Sequence, residues 1–227
     1  MIISHKFEFI WFQPRKVAST TVFERLGSYN ESEYQQQNYY NKYLNKMSSK
    51  HISYEDFLEL PEAKLNYKKV SFVRNPYDRF YSDFLQCKRD FTNYHGKFDT
   101  KPWGSILAEG FSRFCEFAFM KCQKGDFFIP IKSNYENVFF NAQQAVDFIG
   151  YVERFETDFF QICSDLKINP SSNKSSNIEN LQVECDPSSM RLKDYKYINY
   201  FTNEQIEICN NIFSDDFEYL NYNKIKH

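Results

Sequence analysis

The sequence predicts an α/β fold wound on parallel strands, and two observations carry the prediction. An apolar run fit for a buried strand, then a tight loop, then a helical pattern occurs twice, at residues 7–26 and again at 69–88, the alternation that builds parallel sheets. The chain also has the material for a core. Its 227 residues are 42% apolar and include 25 Phe, 17 Tyr and 2 Trp. That fits a single domain over residues 1–227 and is too aromatic for a disordered chain, although the mean hydropathy is −0.65.

Each element follows from local pattern. Phe7 to Phe12 (FEFIWF) is dense enough to be a strand covered on both faces. Gln13-Pro14 turns the chain, and a helix starts near Thr20-Thr21, runs through Val22, Phe23 and Leu26, and stops at Gly27. Residues 28–50, rich in Asn, Gln, Tyr, Ser and Lys, read as a variable surface excursion that could be helical in part. Ser53 opens a capping pattern ahead of a short helix with Phe57, Leu58 and Leu60. Lys69 to Val73 is the second strand, and Tyr77 to Lys88 the helix after it, with Phe80, Phe84 and Leu85 on one face. Residues 90–104 read as a loop insertion and Ser105 to Met120 as one amphipathic helix. Asp147 to Val152 is a third strand, followed by a helix over 156–167 and a Ser/Asn-rich loop over 169–190. Thr202-Asn203-Glu204-Gln205 caps a last helix carrying Ile206, Ile208 and Ile212.

Composition excludes several classes. No apolar run approaches the length of a membrane span. The near-balanced charge of −2 offers nucleic acid no global attraction. Six scattered cysteines without a C-x-x-C pair, and an N-terminal segment without a cleavable signal pattern, lead us to expect reduced thiols in a cytoplasmic protein. No Cys/His spacing fits structural zinc.

Two loops carry phosphate chemistry. Ligands of open α/β sheets sit beyond the carboxyl ends of strands, where helix N-termini present backbone N–H groups. Pro14-Arg15-Lys16-Val17-Ala18-Ser19-Thr20-Thr21 supplies two cations, small residues that let the backbone approach a ligand, and three hydroxyls. Arg74-Asn75-Pro76-Tyr77-Asp78-Arg79-Phe80-Tyr81-Ser82 places an arginine at a strand end and a hydroxyl about two turns into the helix. The chain contains no G-x-x-x-x-G-K-[ST], so an ordinary ATPase or kinase phosphate loop is disfavoured. Taken singly, each loop is equally a basic turn and a helix cap; the pair, each after a buried strand, is harder to explain that way.

RKVASTTVF resembles the 5′-phosphosulfate-binding loop of sulfotransferases that use 3′-phosphoadenosine 5′-phosphosulfate (PAPS), and FVRNPYDRFYSDF resembles their 3′-phosphate-binding strand and helix. The similarity is closest to carbohydrate sulfotransferases of the heparan sulfate 2-O-sulfotransferase type. FIGYVERFETDF, with Glu153 and Asp158, resembles a later strand–helix segment of that family, and SDDFEYLNY its C-terminal end. The resemblance implies a P-loop-like three-layer fold, a central, mostly parallel sheet flanked by helices. It implies that Lys16 contacts the 5′-phosphosulfate and offsets charge on the bridging oxygen as the sulfur bond breaks. Val17, Ala18, Ser19, Thr20 and Thr21 line the same group, and Arg74 and Ser82 hold the 3′-phosphate. The turn reads Pro-Arg-Lys rather than the commoner Pro-Lys, so Arg15 is the fallback for Lys16.

Transfer of a sulfuryl group to a hydroxyl also requires a base, and a neutral imidazole suits that task. Of His5, His51, His95 and His227, His51 lies between the two phosphate motifs, in the interval where the 2-O-sulfotransferase-like enzymes carry a catalytic histidine. His95 is the outsider, and Glu24 a weaker carboxylate alternative. Asn173-Lys174-Ser175 resembles a segment near the nucleotide and is equally a solvated loop, and Phe128-Ile129-Pro130 through Tyr135 is a candidate acceptor wall. The implied reaction moves a sulfuryl group from PAPS to a hydroxyl of a sugar or glycan, free or lipid-linked. It leaves adenosine 3′,5′-bisphosphate and needs no metal, nucleic acid or membrane segment. Two rivals stay open: a nucleotide-dependent phosphotransferase with a degenerate phosphate loop, and a non-catalytic nucleotide-binding protein of the same fold.

Overall fold

The computed structural model describes residues 1–36, 39–93, 103–125, 132–171, 185, 187–190 and 194–226. The chain divides into two compact units, the first Met1–Arg74 with Asn134–Asp186, the second Asn75–Ser133 with Pro187–His227.

The first unit holds the sheet. The predicted strands are present as β2 (Phe9–Phe12), β5 (Lys68–Val73) and β8 (Phe148–Tyr151). β2 pairs with β5 and β5 with β8, both parallel, with Trp11 opposite Val70 and Phe72 opposite Gly150. A fourth strand, β1 (Ile2–Ser4), lies antiparallel on the outer edge of β2 in the order β1-β2-β5-β8. The sequence reading missed β1, because three residues ending in polar Ser4-His5-Lys6 leave too short an apolar run to declare a strand.

Side-chain alternation gives the sheet two apolar faces. Ile2, Phe9, Trp11, Val70 and Phe72 cluster with Val22 and Leu26 of α1 (Ser19–Leu26) and with Phe155, Phe159 and Ile162 of α7 (Phe155–Asp165). Phe12, on the opposite face, meets Tyr54 and Phe57 of α2 (Tyr54–Leu58), with ring centroids 5.7 and 5.1 Å apart. Ser53 caps α2 by accepting from the Asp56 N–H, as its capping pattern predicts. Buried Arg25 joins α1 to α7: its guanidinium donates to both carboxylate oxygens of Glu156 at 2.9 and 2.8 Å and lies over the Phe159 ring at 5.0 Å. A bidentate bond and a cation–π contact thus satisfy most of a charge that burial would otherwise make costly.

The excursion at 28–50 is more regular than its composition implied. A 3₁₀ turn over Gly27–Tyr29 extends α1 past the expected stop, and a hairpin pairs β3 (Tyr39–Asn41) with β4 (Lys46–Ser48). Asn41 closes it by accepting from the Tyr43 and Leu44 N–H groups. A second small hairpin follows α6 (Tyr135–Val138), pairing β6 (Phe139–Phe140) with β7 (Gln143–Gln144).

Among its described residues the second unit is helical. α3 (Pro76–Asn93) outruns its predicted end, so part of the expected 90–104 loop is helix. The expected 105–120 helix is two, α4 (Trp103–Glu109) and α5 (Phe111–Gln123), divided at Gly110, whose φ of 100° no helix accommodates. The last predicted helix is α8 (Asn203–Ile212), with the full Thr202/Gln205 capping box, and α9 (Ser214–Tyr219) follows it. Phe80 of α3 packs on Phe114 and Phe213. Arg79 and Asp216 form a fully buried ion pair at 3.3 Å, with the guanidinium over the Phe213 ring at 4.5 Å. Among the described residues no helix is long and apolar enough to cross a membrane.

Gly150 is fixed by the ring opposite it. A Cβ there would stand 2.7 Å from Cε1 of Phe72, and Phe72 is itself stacked on Trp11 at 5.8 Å and Phe155 at 4.9 Å. Gly150→Ala is therefore expected to cost about 1–3 kcal/mol, read as a lower urea midpoint at unchanged slope; an unshifted midpoint would show that the aromatic stack can yield.

Candidate active site

The parallel register brings the ends of β2 and β5 to one edge of the sheet. Phe12 is opposite Ser71, so the loop after β2 and Arg74, just past β5, emerge side by side. They touch: Nη1 of Arg74 donates to the carbonyl oxygen of Lys16 at 3.3 Å. Arg74 is nearly buried, and its own carbonyl accepts from Nδ2 of Asn134. The two phosphate motifs of the sequence thus meet through their leading cations.

The loop has an unusual backbone. Lys16 and Ala18 both have φ of 61°, a left-handed conformation that side chains other than glycine's disfavour, while Arg15 and Val17, the residue before each, do not share it. Alternation of this kind turns successive N–H groups toward one concave side, the arrangement called a nest, which receives anions. Ala18 then begins α1 with no side chain capping the helix, so the first turn, Ser19, Thr20 and Thr21, offers its backbone donors to a ligand. Val17, Ser19 and Thr21 are buried, whereas Thr20 is exposed. The start of α3 is different: Oδ1 of Asn75 accepts from the N–H groups of Tyr77 at 3.0 Å and Asp78 at 3.4 Å. That helix end is already capped by a side chain. Ser82 stands half-buried on α3, within the second unit.

His51 belongs to the same edge as Lys16. Its Nδ1 lies 2.6 Å from the carbonyl oxygen of Gln13, the residue that leads into the loop. A carbonyl can only accept, so Nδ1 carries the proton and the neutral ring keeps its lone pair on Nε2. Burial, reinforced by the positive charges of Arg15, Lys50 and the Met1 ammonium, drives the imidazole down to about 3, against the Gln13 hydrogen bond that favours the charged ring. Burial and Arg15 also lower the Lys50 ammonium. The charges that act on His51 among the described residues are positive, and burial in turn lowers the Met1 amino group well below its ordinary value.

The remaining sequence candidates are placed as follows. His5 is exposed and meets the Tyr67 hydroxyl at 3.1 Å. Glu24 is exposed on α1. Glu153 is buried, with its carbonyl accepting from the Cys185 N–H, and Asp158 accepts from the Tyr151 N–H and from Nε of Arg154, holding the β8–α7 junction. His95, His227, Phe128-Ile129-Pro130 and Asn173-Lys174-Ser175 lie outside the described residues. Two site residues escaped the sequence reading. Gln13 was read only as part of a turn and Lys50 only as a neighbour of His51; a buried amide straight after a buried strand was the available signal for Gln13.

The fold is α/β, and its sheet edge brings a left-handed basic loop, Arg74 and a neutral histidine together. The model of the Sulfotransferase family matches residues 1–223, and the chain belongs to that family. Sulfuryl transfer is therefore its class of activity. No curated protein and no solved structure gives a match.

The depressed imidazole has a consequence for stability. Its folded value, about 3, lies below the ordinary 6.5, so as pH falls the unfolded chain takes up this proton first. The contribution is complete above about pH 6.5 and is lost as pH drops from there toward 3. His51→Gln should flatten this part of the profile, losing less stability than the parent between pH 7 and pH 4 in urea titrations; parallel profiles would contradict the burial of the neutral ring.

Proposed function

We propose that the chain transfers the sulfuryl group of PAPS to a hydroxyl of a sugar or glycan by in-line displacement, with His51 as general base. The observation that carries this reading is the bond from Arg74 to the Lys16 carbonyl, which joins both phosphate motifs on one sheet edge. When bound, PAPS supplies the sulfuryl group and a phosphate that departs as adenosine 3′,5′-bisphosphate. The residues present suit it: a nest with an uncapped helix start for the 5′ end, and a guanidinium, whose fork matches phosphate oxygens, for the 3′ end.

In this reading Lys16 offsets charge on the departing oxygen, and the backbone of Val17 to Thr21 with the hydroxyls of Ser19, Thr20 and Thr21 holds the 5′ group. Arg74 and Ser82 hold the 3′-phosphate. His51, with Nδ1 engaged by Gln13, takes the acceptor proton at Nε2. The β2–loop–α1 unit beside parallel β5, with helices on both faces of the sheet, supports a P-loop-like three-layer core. The likeness of the two motifs to carbohydrate sulfotransferases of the heparan sulfate 2-O-sulfotransferase type supports the sugar acceptor. We take residues 1–227 as one sulfotransferase domain to which both compact units contribute.

A thermal-shift titration tests the donor site. At a hundredfold excess over its dissociation constant, adenosine 3′,5′-bisphosphate should stabilise the protein by about 2.7 kcal/mol, a rise in Tm of about 5–10 °C, with little effect from 5′-AMP. Arg74→Ala should erase the preference for the 3′-phosphorylated ligand, and Lys16→Ala should lower the transfer rate by about 10²–10³. An equal shift with Mg-ATP, or a Lys16→Ala protein with full transfer activity, would move the phosphotransferase reading ahead.

A further inference from the structure

The residue that organises the candidate site is one that neither phosphate motif includes. Gln13 is 1% exposed, and its polar atoms are engaged in three directions. Nε2 donates to the carbonyl oxygen of Ser19 at 3.2 Å, closing the loop of residues 14–18 with a bond from the residue before it to the residue after it. Oε1 accepts from the Met1 ammonium at 3.1 Å. The main-chain oxygen receives Nδ1 of His51 at 2.6 Å. One buried residue therefore touches the histidine on one side and the first turn of α1 on the other.

We propose that Gln13 is a positioning residue that couples the anion-binding loop to His51, its carbonyl holding the ring and its amide tying the start of α1, so that an anion seated in the loop is felt at the imidazole. The inference rests on the reading of the loop and of His51 given above. The groups that face His51 are Arg15 from the loop, Lys50 from its own segment, the Met1 amino group just ahead of β1, which burial holds well below its ordinary value, and the Gln13 carbonyl. Arg15 and Lys50 oppose protonation of the ring, and the carbonyl favours it. An anion in the cradle offsets the cations, so a proton on Nε2 becomes easier to hold. Linkage makes the effect reciprocal: the protonated ring strengthens anion binding by the factor by which the anion strengthens proton binding. Without the donor the ring is neutral but a poor proton acceptor; with it, the ring moves toward the range in which a base works best. Base strength would then follow occupancy of the loop, and an acceptor arriving first would meet a weak base.

The test is a titration of the full chain, labelled at histidine with ¹³C and ¹⁵N, from pH 3 to pH 8 by NMR, with and without saturating adenosine 3′,5′-bisphosphate. Calorimetry monitors binding separately. The expected result is a rise of one pH unit or more in the His51 midpoint, a tenfold gain in proton affinity, with the ring remaining in its Nδ1–H form before protonation. Gln13→Met, which removes the donor to Ser19, should still bind the bisphosphate but show less than half of that rise. Gln13→Asn, too short to span the loop, should do the same and serves if the first variant does not fold. Bound bisphosphate with an unmoved midpoint would overturn the coupling while leaving the donor site intact, and a full rise in either variant would overturn the role of Gln13. Failure of the bisphosphate to bind the parent chain would sink the coupling together with the proposed function.

Discussion

Everything that gathers at the sheet edge depends on the parallel pairing of β2 with β5. Because Phe12 stands opposite Ser71, β2 gives way to its loop at nearly the level at which β5 ends in Arg74. A slip of one residue would turn the apolar set of β5 to the wrong face and would carry Arg74 away from the Lys16 carbonyl. The register is held by aromatic mass as well as by the ladder. Trp11, Phe72 and Phe155 stack in sequence, and Gly150 leaves room for Phe72 where any other residue would intrude. Distant core residues thus fix the position of a loop whose chemistry they never touch.

At that edge the electrostatics run opposite to those of a stable core. Elsewhere two buried guanidiniums are paired with carboxylates: Arg25 with Glu156, Arg79 with Asp216. Around His51 the charges are all positive. Like charges gathered in a partly buried place cost folding free energy, a cost that a bound anion would offset. α1 follows the same principle, since it forgoes the side-chain cap that α2, α3 and α8 each possess. Stability given up at a helix start and in a left-handed turn at two residues other than glycine is the pattern expected of a preorganised ligand site.

Much of this was legible in the sequence, and the rest was hidden for definite reasons. β2, β5 and β8 could be read because strands covered on both faces are almost continuously apolar, and α2 and α8 because their capping residues are local. The division between α4 and α5 was hidden because the apolar period of residues 105–120 continues through Gly110, and only the backbone angle there reveals the break. The β3–β4 hairpin was hidden by its polar composition, although Asn41 and Asn45 carried turn chemistry. Within the site, Lys16, Arg74 and the loop hydroxyls lie in contiguous motifs. Gln13 does not: its contact with His51 spans 38 residues of chain, and no local pattern encodes it.

The extra cation in Pro-Arg-Lys, an ambiguity in the sequence, differs from its neighbour in backbone conformation and in what it acts on. Lys16 has φ of 61° and its carbonyl is held by Arg74, which binds it to the edge where both phosphate motifs converge. Arg15, one residue earlier and outside the left-handed region, acts instead on His51 and Lys50. A single lysine at the turn would have had to neutralise the donor and set the field at the base from one position. With two adjacent cations on a backbone that reverses handedness at the second, the proposed reaction would divide the tasks: Lys16 for charge on the departing group, Arg15 for the proton affinity of the ring. The two are electrostatically distinct, and loss of either should disturb a different step of the proposed reaction.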